Sequence, residues 1–181
     1  MSFKILITGP PRCGKSTLIR KLLIQLNEDH SLYGFLTPEV RKNGKRIGFD
    51  LKDINSGEKI PLARKGKKYD SNYKLGTYNI FIKDFNQYLS KKNYLSTKTP
   101  ISILIIDEIG KMELFSELFQ SILKDIFTSN LPVIATIGRN LNHPIQNFIL
   151  NIGGVKIYSL NRENQENVLN EVIQTVHKSE F

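Results

Sequence analysis

Hydrophobic positions change their spacing several times along the chain, and each change predicts a new element. The apolar run FKILIT predicts a buried strand, and apolar residues at helical spacing follow from Leu18 to Leu26. A loop with two glycines separates these two segments. The chain therefore opens with a strand, a loop and a helix.

Residues 33–82 have a pattern that predicts short strands instead of helices. The strand-like pieces are YGFLTPEV, RIGFDLKDI, IPLA and YNIFI. The Asn43-Gly44 pair suits a two-residue hairpin turn, because both residues tolerate positive φ. We therefore predict an antiparallel β-meander over 33–82, inserted after the first helix.

Helical and strand-like segments alternate again after residue 82. The predicted strands are ISILIID, PVIATI and VKIYSL. The predicted helices are DFNQYLSKK, FSELFQSILKDIF, a short piece from Ile145 to Leu150 and a last one from Val168 to Val176. Such alternation indicates parallel strands joined by right-handed crossovers. The predicted fold is α/β, with a mostly parallel central sheet, helices on both faces and the antiparallel insert.

Length and composition add few constraints to this prediction. The 181 residues fit one domain spanning 1–181, and 40% hydrophobic with 24% charged residues is ordinary for a soluble protein. The single cysteine excludes an intrachain disulfide, and no apolar run reaches the ~18 residues that a membrane span needs. We expect a cytoplasmic monomer without membrane association.

Positive charge is concentrated in the predicted insert. The chain has a formal net charge of +9, and residues 41–74 carry eleven Lys or Arg against four Asp or Glu. A basic stretch of this kind is typical of a nucleotide or nucleic-acid surface, although lysine-rich solvated faces are also common. Nucleic-acid binding through 41–74 therefore stays open as an alternative.

The loop GPPRCGKST predicts a phosphate site. Its Gly-x-x-x-x-Gly-Lys-Ser spacing matches the Walker A pattern, in which backbone N–H groups and a helix N-terminus surround a phosphate. Lys15 is the predicted bridge between the β- and γ-phosphates, and Ser16 is a predicted Mg²⁺ ligand. The predicted nucleotide contacts are Gly9, Pro10, Pro11, Arg12, Cys13, Gly14, Lys15, Ser16 and Thr17.

The strand ISILIID ends in the second acidic element that a phosphate site of this type needs. Asp107 is predicted to hold Mg²⁺ through water, and Glu108 to orient or deprotonate the water that attacks the γ-phosphate. The structural alternative is that Glu108 caps the strand or pairs with Lys111. An acidic pair at the end of an apolar strand favours the catalytic role.

A further cation is expected near the transferring phosphoryl group, because negative charge develops there. Lys111 is the first candidate, which makes Lys15, Glu108 and Lys111 the predicted catalytic residues. Arg139 and Arg12 are alternatives, and each of the three cations is also explicable as surface charge. Thr136 is a candidate sensor of the γ-phosphate.

Three stretches occur in order along the chain, namely GPPRCGKST, YGFLTPEVRKNGKRIGFDLKDINSGEKIPLAR and LIIDEIGKMELFSELF. Together they resemble the thermophile-type nucleoside-triphosphatases, whose relatives include the cancer-related nucleoside-triphosphatase. The resemblance implies a RecA-like P-loop fold. It also implies slow hydrolysis of ATP, GTP and other nucleoside triphosphates (NTPs) to the diphosphate and phosphate, with little base preference.

By position, the resemblance implies two nucleotide-binding segments, 9–17 and 104–111, and an accessory group near the phosphates formed by Thr37, Glu39 and Arg41. The second segment comprises Leu104, Ile105, Ile106, Asp107, Glu108, Ile109, Gly110 and Lys111. The chain departs from the family pattern at Arg12 and Cys13, where relatives have Gly-Val. Cys13 is either a reactive thiolate near a helix N-terminus or a small filler of the loop.

Two other functions compete with hydrolysis. The first is a kinase that passes the γ-phosphate to a small molecule or a nucleic-acid end, with the basic insert as acceptor surface. Such kinases generally carry arginines on a mobile lid, and this chain has only seven arginines. The second is a nucleotide-switched nucleic-acid-binding module, suggested by the basic and aromatic residues of ARKGKKYDSNYK.

Overall fold

The structure is a computed structural model that describes residues 3–69, 71–95, 99 and 101–179. The strands are β1 (Lys4–Gly9), β2 (Ser31–Leu36), β3 (Glu39–Lys42), β4 (Lys45–Asp53), β5 (Lys59–Lys65), β6 (Tyr73–Leu75), β7 (Tyr78–Ile80), β8 (Ser102–Ile109), β9 (Val133–Gly138) and β10 (Val155–Ser159). The helices are α1 (Lys15–Leu26), α2 (Ile82–Ser90), α3 (Glu117–Thr128), α4 (Pro144–Leu150) and α5 (Gln165–Lys178). A 3₁₀ turn, Glu113–Phe115, precedes α3.

The described strands form one sheet in the order β10-β1-β9-β8-β2-β4-β5-β7-β6, with β3 paired to β4. β10, β1, β9, β8 and β2 run parallel to one another. The strands from β3 to β7 pair antiparallel. The predicted mixed α/β architecture is therefore confirmed, and the insert continues the central sheet instead of standing apart from it.

The predicted meander over 33–82 is wrong at its first strand. Ser31–Leu36 pairs parallel with β8 along its whole length, whereas β4 meets β2 antiparallel only at Phe35 and Leu36. The antiparallel part thus begins at β3. Side chains alternate between the two faces of a sheet in parallel and antiparallel strands alike. The pattern of YGFL therefore does not indicate which strand lies beside it or in which direction that strand runs.

Helices cover both faces of the parallel strands. Along β1, Ile5 and Ile7 pack with the apolar stripes of α1 and α5, whereas Leu6 packs on the side of α2, α3 and α4. The same alternation holds for β8. A parallel sheet buried on both faces explains why these strands read as continuous apolar runs.

The Asn43-Gly44 turn joins β3 to β4 as predicted. Both residues have positive φ, 50° and 73°, and Lys42 pairs with Lys45 across the turn. This hairpin projects beyond the carboxyl end of β2, and its position matters for the cavity described below. No helix in the described ranges has both the length and the apolarity to cross a membrane.

A buried carboxylate ties the insert to α2. Asp53 accepts hydrogen bonds from the Ser56 backbone N–H at 2.8 Å and the Tyr88 hydroxyl at 2.7 Å, and pairs with Lys92 Nζ at 2.8 Å. Tyr94 in turn donates to the Tyr88 hydroxyl. Burial alone raises the pKa of Asp53, but the Lys92, Ser56 and Tyr88 contacts outweigh it and hold the pKa well below the usual range.

Asp53→Asn is expected to lower the free energy of unfolding at pH 7 by about 3 kcal/mol, because it leaves Lys92 without its buried partner. A depressed folded-state pKa gives stability that is present above the unfolded pKa of about 4 and is lost as pH falls through the folded value. The difference in free energy of unfolding between wild type and variant should therefore become smaller below about pH 4. Urea titrations at pH 7 and pH 3 measure this difference, and Glu58→Gln at an exposed position is the control. A difference that does not depend on pH would contradict the role of the Asp53 charge.

Candidate active site

A cavity of about 1180 Å³ opens at the carboxyl ends of the parallel strands. Its walls come from the loops that follow β1, β8, β9 and β2, four strands that are neighbours in the sheet. Loops after parallel strands converge at this edge, which is where open α/β sheets bind ligands. The two segments that the sequence singled out therefore lie beside each other in one cavity.

Residues 9–17, called the phosphate loop after their predicted role, run from the end of β1 into the start of α1. Gly14 has a φ of +105°, a left-handed conformation that favours glycine, and a Cβ there would lie 2.5 Å from the Gln165 amide nitrogen. Lys15 is buried, and its Nζ donates to the Gly9 carbonyl oxygen at 3.3 Å. The loop thus holds an ammonium group over its own backbone. Six loop residues line the cavity: Pro11, Arg12, Gly14, Lys15, Ser16 and Thr17.

Cys13, one of the two departures from the family pattern, faces away from the cavity. Its side chain is 3% exposed and packs in the core formed by α1, α5 and β1. The filler interpretation is therefore confirmed, and the predicted ligand contact is wrong for the Cys13 side chain. Arg12 is exposed and lines the cavity. Gly9 and Pro10, two other predicted contacts, are not among the residues that line the cavity.

Asp107 is held by two threonine hydroxyl groups. Thr136 Oγ1 donates to its Oδ1 at 2.6 Å, and Thr37 Oγ1 donates to its backbone carbonyl at 2.8 Å. Burial raises the pKa of Asp107, and the hydroxyl groups of Thr136 and of nearby Ser16 oppose that rise. A serine hydroxyl and a buried carboxylate side by side form an oxygen donor set that fits Mg²⁺.

Thr136 was expected to reach the γ-phosphate, but the structure gives it another place. Its side chain is fully buried and its hydroxyl is engaged by Asp107. Thr136 therefore orients the acid and does not line the cavity. Four residues of the predicted second segment are likewise buried in the sheet core and do not line the cavity, so the predicted contacts are wrong for their side chains: Leu104, Ile105, Ile106 and Ile109.

Glu108 lies on the cavity wall with its carboxylate beside Gly138, where a Cβ would lie 3.5 Å from Oε1. Burial raises the pKa of Glu108, Lys15 opposes that rise and Asp107 adds to it. Among the described residues Glu108 forms no ion pair with Lys111, so the structural alternative of a Glu108–Lys111 pair is wrong. Lys111 and Arg139 both line the cavity as expected.

Glu113 is a site residue that the sequence did not reveal. Its side chain is buried under the loop after β8, and a Cβ on Gly110 would lie 2.6 Å from its Oε2. Burial and the neighbouring Glu108 raise the pKa of Glu113 to about 8, although backbone N–H groups of Glu113 and Gly110 oppose them. With a pKa of about 8, Glu113 is mostly protonated at neutral pH and adds little negative charge beside Glu108.

The β3–β4 hairpin forms the opposite end of the cavity from the phosphate loop. Glu39 and Arg41, which the resemblance placed near the phosphates, line this end together with Arg46. Arg20 on α1 also lines the cavity and was not singled out by the sequence. A lone arginine on an amphipathic helix gives no local signal that distinguishes it from a surface charge.

Gln165, at the start of α5, supports the phosphate loop from behind. Its Nε2 donates to the Cys13 carbonyl oxygen at 2.9 Å, across 152 positions of sequence. The hydrogen bond fixes the peptide before Gly14.

Gln165→Ala is expected to weaken NTP binding about fivefold, because a hydrogen bond that shapes the phosphate loop contributes about 1 kcal/mol. Binding of a non-hydrolysable NTP analogue measures the effect. Gln120→Ala is the matched control, since Gln120 makes the same kind of bond, to the Leu114 carbonyl at 2.8 Å, away from the loop. Equal affinity losses in both variants would mean that the effect is general destabilisation.

Comparison with known proteins gives concordant results. A family model described as NTPase matches residues 4–173. The nucleoside-triphosphatase THEP1 of Thermotoga petrophila is 38% identical, covering 94% of this chain and 90% of the relative. The cancer-related nucleoside-triphosphatase homolog of Mus musculus is 35% identical, covering 99% of each.

A solved structure is also similar to this chain. The crystal structure of THEP1 from the hyperthermophile Aquifex aeolicus matches with a TM-score of 0.83 and 31% identity, covering 96% of this chain and 99% of that one. Sequence and fold thus agree over nearly the whole length. The chain belongs to the nucleoside-triphosphatase family that includes THEP1 and the cancer-related nucleoside-triphosphatase.

Proposed function

We propose that the chain hydrolyses NTPs to nucleoside diphosphate and phosphate, with Mg²⁺ and without strong selection of the base. The observation that carries this proposal is the position of Glu108 beside Lys15 in one cavity. The strand–loop–helix at 4–26 and the acidic end of β8 support classification as a RecA-like P-loop NTPase. In this proposal residues 9–17 bind the phosphates, and the residues at the end of β8 carry out the reaction.

The phosphate loop binds the substrate. Backbone N–H groups before α1 and the N-terminal end of that helix attract the phosphate oxygens, and the Lys15 ammonium compensates charge on the β- and γ-phosphates. Arg12 and Arg20 on the same wall add positive potential. Because these contacts go to phosphates alone, the loop itself does not select the base.

Ser16 and Asp107 would hold Mg²⁺, which when bound supplies charge that neutralises the phosphate oxygens. Thr136 and Thr37 keep Asp107 in place, through its carboxylate and its backbone carbonyl respectively. Glu108 orients the attacking water and accepts its proton, since its carboxylate faces the cavity. Lys111 and Arg139 are the candidates for stabilising charge on the transferring phosphoryl group.

The test is an assay of the purified chain with ATP, GTP, CTP and UTP in turn, with and without Mg²⁺, that measures released phosphate. The proposal expects phosphate release from all four in the presence of Mg²⁺ and none after chelation. Release confined to one base would overturn the broad specificity. Phosphate that appears only when an acceptor molecule is added would favour the kinase instead.

A further inference from the structure

The cavity extends past the phosphate loop to a region that the proposed hydrolysis leaves unused. β1 and β2 are separated by three strand spacings, or about 14 Å. We call the part beyond β2 the hairpin end of the cavity. Six residues line it: Glu39, Arg41, Arg46, Phe49, Leu75 and Met112.

The γ-phosphate side of the nucleotide, and not its nucleoside, faces the hairpin end. Asp107 and Glu108, assigned above to the metal and the attacking water, lie on β8, between β1 and β2 in the strand order. A triphosphate that runs from the phosphate loop toward this pair points its last phosphate at β2. The hairpin end is therefore the space next to the reacting phosphate.

One carboxylate holds two arginines together at the hairpin end. Glu39 Oε2 accepts from Arg41 Nη2 at 2.6 Å and from Arg41 Nε at 3.0 Å, while Glu39 Oε1 accepts from Arg46 Nη1 at 2.7 Å. Arg41 Nη1 also donates to the Gly44 carbonyl oxygen at 3.0 Å. Two guanidinium groups against one carboxylate leave a net positive charge in a fixed position.

Aromatic residues hold the Arg46 side chain in place, and part of its guanidinium group remains available to donate hydrogen bonds. Its guanidinium lies 5.1 Å from the centre of the Phe49 ring, and its Nε donates to the Tyr78 hydroxyl at 2.9 Å. Within the described part of the chain its Nη2 has no hydrogen-bond partner. Phe49, Leu75 and Met112 add an apolar wall beside these donors.

We propose that the hairpin end binds a second ligand, a small phosphomonoester with an aromatic or apolar body, next to the γ-phosphate of the bound NTP. The fork of a guanidinium matches phosphate oxygens, and two of them oriented by Glu39 form a ready-made anion site. The Phe49, Leu75 and Met112 wall suits the body of such a molecule. The proposal rests on the proposed function in one respect, that the NTP occupies the phosphate loop.

The experiment uses adenosine 5′-monophosphate (AMP) as probe and the full chain saturated with Mg²⁺ and a non-hydrolysable NTP analogue. Equilibrium dialysis should detect one further AMP per chain, and adenosine, which lacks the phosphate, should bind about tenfold more weakly or worse. Absence of AMP binding to the saturated chain would overturn the proposal. So would competition between AMP and the analogue, because it would place AMP on the phosphate loop.

Paired charge variants test the residues. Arg41→Gln/Arg46→Gln should weaken AMP binding about tenfold or more, whereas Lys42→Gln/Lys45→Gln should change it by less than about twofold. The control pair removes the same charge from the same hairpin at exposed positions that do not line the cavity. Equal losses of AMP affinity in both double variants would mean that the effect comes from the net charge of the hairpin, and would contradict the proposed site.

Arg41→Gln alone is a second test in case the double variant misfolds. Arg41 is 59% exposed, and it is Arg46 that stacks on the Phe49 and Tyr78 rings, so the single change should leave the fold intact. It should weaken AMP binding about threefold to tenfold, while unchanged binding would contradict the proposal. Analogue affinity is measured in every variant, and its loss would assign the arginines to the NTP itself. Phosphate release without AMP tests the proposed hydrolysis separately, so the two failures are distinguishable.

Discussion

Glu108→Gln is expected to reduce phosphate release about a hundredfold to ten-thousandfold while leaving nucleotide affinity within about twofold. The amide has nearly the same shape as the carboxylate but does not accept a proton from the attacking water. Glu108 lies on the cavity wall and pairs with no cation among the described residues, so its loss frees no charge to disturb the fold. Steady-state phosphate release and analogue binding measure the two halves of this prediction.

The control for Glu108→Gln is Glu117→Gln, the same chemical change at an exposed position in the first turn of α3. The control should release phosphate at the wild-type rate. Undiminished release by Glu108→Gln would show that Glu108 is not the general base.

Lys15→Met is expected to lower kcat about a hundredfold to a thousandfold and, unlike Glu108→Gln, to weaken binding of the analogue as well. The ammonium touches the phosphates before and during the reaction, so its loss affects both. Lys15 also opposes the rise in pKa of Glu108 that burial causes. Without Lys15 the pKa of Glu108 rises further, and the acidic limb of the residual pH–rate profile should move to higher pH.

Lys21→Met is the matched control, because Lys21 lies about 1.7 turns further along α1 and pairs with Glu166 at a solvent-exposed position. It should leave kcat, affinity and the pH profile nearly unchanged. If Lys15→Met altered kcat but not affinity, the lysine would act on the transition state alone. If it altered neither, the phosphate-loop assignment would be wrong.

The acidic pair at the end of β8 shows which features of the site the local sequence predicts and which it does not. The run ISILIID predicted a buried strand, and its last residue predicted an acid at the sheet edge; both are confirmed. The partners of that acid were not predictable. Thr136 lies 29 positions from Asp107 and was expected to contact a phosphate, yet its hydroxyl holds the carboxylate.

Local and long-range contacts differ in the same way in the residues from β2 to β4. Asn43-Gly44 specified its own turn, because the conformation depends on those two residues. The direction of β2 depended on β8, which lies about 70 residues away in register, Leu36 with Asp107. The contact of Glu39 with Arg46 likewise depends on the antiparallel pairing of β3 with β4.

The sequence by itself determined the phosphate loop, the buried strands, the amphipathic helices and the hairpin turn. Each depends on contacts within a few residues or on whether a position is buried, and periodicity and turn chemistry record both. The tertiary structure alone decided the parallel pairing of β2, the burial of Cys13 and Glu113, and the bond from Gln165 to the loop. These depend on which distant segments pack together, because polar groups buried by that packing must find partners that spacing along the chain does not specify.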